Sequence, residues 1–182
     1  MHVMRTVYIT GRHGRHQQGL GKYLGDHFQD YRGLSIDSDF LKQSFGEQVA
    51  SVQSLLRDTK GSNIIANSYG AYLLMHSLID QPRFEGKVLL LSPVLGKAIS
   101  NDSRSLSRPP RATQLILALE NGLIPKPCHI EIHTGGLDYS CCPELATLFA
   151  NRLPADKFKI IPNQGHAITP QIVQRIVNDF VT

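Results

Sequence analysis

Three residues that are far apart along the chain have the side chains needed for nucleophilic acyl transfer. Ser68 lies in A-N-S-Y-G, Asp138 in H-I-E-I-H-T-G-G-L-D-Y-S, and His166 in F-K-I-I-P-N-Q-G-H-A-I. A serine hydroxyl is a weak nucleophile until a base in hydrogen-bond reach takes its proton. Histidine titrates near neutral pH, so it can take that proton and return it. A carboxylate on the far ring nitrogen fixes the tautomer and stabilises the imidazolium. Small residues stand two before and two after the serine, Ala66 and Gly70. A tight strand-to-helix turn that exposes a nucleophile needs that spacing.

Such a trio needs a scaffold that brings distant loops together, and the hydrophobic periods imply one. Short β-branched runs predict strands at Val3–Ile9, Gly33–Asp37, Ser62–Ala66, Lys87–Ser92, His129–His133 and Lys157–Ile161. Between them come helical spacings: Leu20, Leu24 and Phe28; Phe45, Val49, Val52 and Leu56; Ile172, Ile176 and Phe180. An amphipathic run starts directly after Ser68, and another helix spans about 113–120, ending at Asn121-Gly122. Thr169-Pro170 reads as a cap before a first-turn proline, and Cys142-Pro143-Glu144 as a second helix start. Strands alternating with helices predict an α/β fold, a doubly wound parallel sheet covered on both faces in a three-layer α/β/α domain. Ligands in such sheets sit outside the carboxyl ends of the strands. Ser68, Asp138 and His166 each follow a predicted strand, so all three face one crevice.

The chain of 182 residues suits one domain, 1–182, with a sizeable core. Residues 93–112, rich in Ser, Arg and Pro, form a long connection, read as a short cap or a mobile loop within it. The composition, 41% hydrophobic and 19% charged, is that of an ordinary globular protein. A net charge of +4 without a dense run of Lys and Arg argues against nucleic acid as a partner. No apolar run is long enough for membrane insertion. Three cysteines, Cys128, Cys141 and Cys142, make a poor disulfide framework, which favours a reducing, cytoplasmic setting. Their simplest role is that of buried small apolar residues.

Plainer roles exist for most of these residues. Ser68 could serve only as a helix N-cap, and Asp138 as a turn residue after Gly135-Gly136, with Glu144 a more distant substitute acid. His13 and His16 have no partner ligands at metal spacing, so no metal is expected. Arg12, Arg15 and Lys22, like Arg104, Arg108 and Arg111, read as solvated basic faces, and Tyr69 and Tyr72 as packing or pocket wall.

With the A-N-S-Y-G turn, the order Ser–Asp–His and each residue after its strand, the sequence resembles a compact member of the α/β-hydrolase fold family from Val3 to Phe180. The resemblance implies six parallel strands in the order 2-1-3-4-5-6, with the lid of the family falling at the short 93–112 segment. It implies a serine hydrolase that cleaves a small or medium carboxylic ester or thioester without a cofactor. Ser68 is then the nucleophile, His166 the base and Asp138 its orienting acid. It also places an oxyanion hole between the backbone N–H of Tyr69 and that of Arg12, or of His13 one further on, with Gly11 opening the loop. Ala66 stands where glycine is commoner, Thr10 where the family's loop has histidine, and Pro143 follows Asp138 by five residues instead of four. Two rival functions are a phosphate- or nucleotide-binding loop in G-R-H-G-R-H-Q-Q-G-L-G and a non-catalytic interaction module on the same fold.

Overall fold

The computed structural model describes residues 5–96, 109–140 and 142–182. Among these, six strands alternate with six α-helices: β1 (Thr6–Arg12), α1 (Gly19–His27), β2 (Tyr31–Ile36), α2 (Phe45–Asp58), β3 (Asn63–Asn67), α3 (Tyr69–Ser77), β4 (Lys87–Leu91), α4 (Ala112–Glu120), β5 (His129–Gly135), α5 (Pro143–Arg152), β6 (Lys157–Ile161) and α6 (Pro170–Val181). The strands form one sheet in the order β2-β1-β3-β4-β5-β6, with every neighbouring pair parallel.

Alternation along the strands divides the core into two layers. Val7, Ile9, Ile64, Ala66, Val88, Leu90, Ile130 and Ile132 pack against α2 to α5. Tyr8, Ile65, Leu89 and Leu91 face Leu24 of α1 and Ile176, Val177 and Phe180 of α6. With both faces covered, the central strands read as nearly continuous apolar runs, which is why they are visible in the sequence.

Several element bounds differ from expectation for tertiary reasons. The first strand runs later than Val3–Ile9, reaching Arg12, and Val3 lies outside the described residues. Thr10 makes the extension workable. Its buried hydroxyl accepts the Ile36 N–H at 2.8 Å and donates to Gly11 O at 3.0 Å, bridging the irregular stretch of the β1–β2 ladder. The fifth strand continues to Gly135 because β6 still pairs there, with Gly135 opposite Ile161. Residues 97–108 of the expected cap or loop also lie outside the described residues.

Three local expectations need correction. The run after Ser68 is not amphipathic in its setting, since all nine residues of α3 are buried. It is wedged between the sheet and α2, and a helix covered on every side has no polar face to show. Thr169 holds the N-cap position of α6 but makes no capping bond; its hydroxyl donates instead to Gln164 Oε1 at 2.8 Å. Cys128 is exposed just ahead of β5, with its Sγ 3.5 Å from Glu85, whereas Cys142 is buried and Cys141 lies outside the described residues. Conversely, α2 carries a full capping box that the sequence spells as Ser44 and Glu47. Ser44 Oγ accepts the Glu47 N–H, and Glu47 Oε2 accepts the Ser44 N–H at 2.8 Å.

The burial of α3 has a pH consequence. His76 is 5% exposed and packs edge-on against Tyr72 and Phe45, at centroid distances of 4.6 and 4.9 Å. Burial, reinforced by the Arg111 guanidinium, pushes its pKa down to about 4. Below its ordinary value near 6.5, the unfolded chain takes up a proton that folded His76 refuses until about 4. Stability is therefore full above 6.5 and falls by up to about 3 kcal/mol as the pH drops towards 4. His133 is shifted in the same direction by burial and adds to the loss. Urea midpoints measured from pH 7 to 4 should fall less steeply in His76→Leu than in the parent protein.

Candidate active site

The turn between β3 and α3 is strained at one residue. Ser68 has φ 52° and ψ −115°, a backbone conformation that favours glycine. Its neighbours hold it there: Ser68 N–H donates to Leu91 O at 3.0 Å, and its carbonyl accepts from Val94 N at 3.1 Å and Tyr72 N at 3.3 Å. The strain costs about 1–3 kcal/mol and persists because the surroundings over-determine it. The turn also demands close approach. A Cβ on Gly70 would stand 2.3 Å from Thr10 O and 2.9 Å from Ile9 O, so α3 can meet β1 only with a glycine here. Ala66 is fully buried beneath the turn.

Ser68 occupies the N-cap position of α3, but its side chain makes no capping bond. Its Oγ lies 2.7 Å from His166 Nε2. His166 Nδ1 lies 3.0 Å from both Oδ1 and Oδ2 of Asp138. The Asp138 carboxylate is fully buried, and Oδ1 also accepts the Ser140 N–H at 2.9 Å. A carboxylate facing Nδ1 keeps the ring proton on that nitrogen, which leaves Nε2 to accept from the serine hydroxyl. Glu144, the substitute acid, is engaged elsewhere, with Oε2 2.6 Å from Cys142 Sγ in the first turn of α5.

The loops carrying the acid and the histidine are stitched together by residues that the sequence reading passed over. Leu137 N–H donates to Gln164 O at 2.9 Å, and Gly136 N–H to Ile161 O at 2.9 Å. Gln164 Oε1 accepts the Thr169 N–H at 2.8 Å, closing the loop onto α6. A Cβ on Gly135 would fall 2.3 Å from Gln164 O and 2.4 Å from Gly165 O, so this glycine permits the close approach of the two loops. In the sequence the Gly-Gly pair at the end of β5 reads only as a turn; the packing role of Gly135 comes from the structure.

The loop after β1 faces the serine. A Cβ built on Gly11 would lie 3.3 Å from Ser68 Cβ. Of the two amides expected near the oxyanion, that of His13 is committed, donating to Ile36 O at 2.7 Å. Arg12, the other candidate, is the last residue of β1 and stands opposite Ile36 of β2. Tyr69 N–H, in the first turn of α3, has no intrahelical acceptor. The Arg12 guanidinium lies over the Tyr69 ring at 5.8 Å, and Tyr69 OH donates to Gln48 Oε1 at 2.9 Å. Tyr72 OH donates to Pro110 O at 2.5 Å, so both tyrosines are core packing.

Four N–H groups of the loop are already engaged within the fold. The N–H groups of His13, Gly14, His16 and Gln18 donate to Ile36 O, Gly11 O, Ser35 Oγ and Arg15 O respectively. Lys22 pairs with Asp26 in solvent at 2.6 Å.

A cleft of about 390 Å³ opens beside His166, between α1 and α6. Leu20, Tyr23, Leu91, Ile168 and Val173 line it, and Asn67 and Ser92 add polar groups at the strand ends. Burial pushes the Tyr8 hydroxyl, beside the Asn67 side chain, up to about 12. A slightly larger hollow, about 430 Å³, lies at the far ends of α2 and α3, with none of Ser68, Asp138 or His166 in its wall.

No family model and no curated protein matches the chain. Solved structures do. A monoacylglycerol lipase of Paleococcus ferrophilus superposes with a TM-score of 0.69 at 12% identity, over 97% of this chain and 93% of that one. Est1E from Butyrivibrio proteoclasticus gives 0.68 at 13% identity, over 97% and 86%. MGS-MChE2, an α/β hydrolase enzyme from the metagenome of Mar Chica lagoon sediments, gives 0.61 at 17% identity, over 97% and 90%. Strand order, helix placement and these superpositions agree: the chain has the α/β-hydrolase fold.

Proposed function

We propose that the protein is a serine hydrolase that cleaves a small or medium carboxylic ester or thioester through an acyl-enzyme. The observation that carries this reading is the continuous relay from Ser68 Oγ through His166 to the buried carboxylate of Asp138, at 2.7 and 3.0 Å, on a strained turn. Both distances lie within the range that proton transfer requires. A lipase and an esterase among the similar solved structures support the same class.

The steps follow from the geometry. Ser68 Oγ attacks the carbonyl carbon as its proton passes to His166 Nε2. The developing oxyanion turns to the backbone N–H groups of Arg12 and Tyr69, which belong to regular elements and need no reorganisation. Asp138 holds the imidazolium while Nε2 returns the proton to the leaving oxygen or sulfur, and the C–O or C–S bond breaks. A water then attacks the acyl-serine, giving its proton to the same nitrogen; Nε2 passes that proton to Ser68 Oγ as the bond from the acyl carbon to Oγ breaks, and the acid departs.

A fluorophosphonate probe tests the reading, because it reacts with an activated serine whatever the substrate. Peptide mapping should place the adduct on Ser68. Folded protein that stays unlabelled would overturn the assignment.

A further inference from the structure

We propose that the cleft between α1 and α6 receives the leaving group of the substrate, and that this group is an uncharged, largely apolar alcohol. This inference rests on the serine-hydrolase reading above.

Direction comes from the proton. The nitrogen that accepts the serine proton must deliver it to the leaving atom within hydrogen-bond reach, so the leaving group lies on the His166 side of the reacting carbon. His166 lines the cleft, and Ala167, Ile168 and Pro170 continue the wall from it into α6. Gly11, Arg12 and Tyr69, which surround the expected oxyanion position, do not line it. Ser68 does not line it either, so of the relay residues it is His166, the proton donor to the leaving group, that meets the cleft.

Chemistry comes from the wall. Among the described residues no Asp, Glu, Lys or Arg lines the cleft, and its side chains are mainly Leu20, Tyr23, Leu91, Ile168 and Val173, with Gln174 adding an amide. Each CH₂ buried there contributes about 0.8 kcal/mol. A leaving group bearing phosphates would meet no cation there and would lose its hydration. That argues for esters of neutral alcohols over thioesters of phosphate-bearing thiols. Asn67 and Ser92, at the ends of β3 and β4, offer polar contacts in the cleft.

Two ester series separate this assignment from its rivals. One holds the acyl group at butyrate and varies the alcohol from methyl to hexyl and benzyl. The other holds the alcohol at methyl and lengthens the acyl chain. Val173→Trp and Leu20→Trp fill the cleft from its two half-buried walls, so a folding defect in one leaves the other to report. In both, kcat/KM for the hexyl and benzyl esters should fall about tenfold more than for methyl butyrate, chiefly through KM. The acyl series should show no loss that grows with chain length. A loss that tracks acyl length, or one equal across both series, overturns the assignment. Fluorophosphonate labelling of the parent protein separates the two failures. If Ser68 is labelled, only the cleft assignment falls; if it is not, the hydrolase reading falls with it.

Discussion

Ser68→Ala is expected to lower turnover of a p-nitrophenyl ester by about 10⁴-fold or more, with KM changed far less. The substitution removes the attacking oxygen but leaves the oxyanion amides and the cleft in place, so what remains is the residual catalysis of those groups. Stability should report the opposite sign in a companion variant. Ser68 sits at φ 52° and ψ −115°, and glycine adopts that conformation without the clash between Cβ and backbone. Ser68→Gly should therefore be inactive yet more stable, by about 1 kcal/mol, which corresponds to a rise of about 2–4 °C in Tm for a chain of this size. A serine kept as a helix cap would behave otherwise: losing a capping hydroxyl costs about 1 kcal/mol and leaves catalysis alone. Its Oγ is spent on His166, so no such cost is expected. A fully active Ser68→Ala protein would remove the basis of the mechanism.

Asp138→Asn is expected to lower kcat by about 10⁴-fold while the fold survives. The two side chains have the same shape, and the amide oxygen of the variant can still accept the Ser140 N–H that Asp138 Oδ1 accepts at 2.9 Å. What changes is the face shown to the histidine. An amide NH₂ turned to Nδ1 makes that nitrogen the acceptor, moves the ring proton to Nε2, and leaves no lone pair there for the serine proton. The stabilising charge for the imidazolium is lost as well. Single-turnover kinetics with a chromogenic ester would read the acylation step directly. A rate near that of the parent protein would mean that another acid does the work. Glu144 is the nearest alternative in sequence, but its carboxylate is held against Cys142.

The two outcomes lean on different parts of the molecule. The serine depends on local backbone: a five-residue strand, one strained residue, and a glycine that lets α3 start against β1. The acid depends on two loops tied together by the Gln164 carbonyl and the absent side chain of Gly135.

That division matches what could be read from residues alone. Periods of two and 3.6, prolines at helix starts and the small residues around Ser68 are short-range signals, so the six strands, most helices and the three candidate residues were legible in the chain itself. The exact ends of β1 and β5, the commitment of the His13 amide to Ile36, the full burial of α3 and the cleft between α1 and α6 were not. Each depends on strand register, on contacts between elements distant in sequence, such as Thr10 with Ile36, or on distant helices walling one cleft, as Leu20 and Val173 do. Ser68 and His166 are 98 positions apart, and only the right-handed winding of a twisted parallel sheet brings them within 2.7 Å. The sequence by itself determined which side chains were available and the order of the elements that carry them. The tertiary structure decided which loop amides are committed and which side of the histidine has room, because hydrogen-bond partners and empty volume exist only once distant segments have packed.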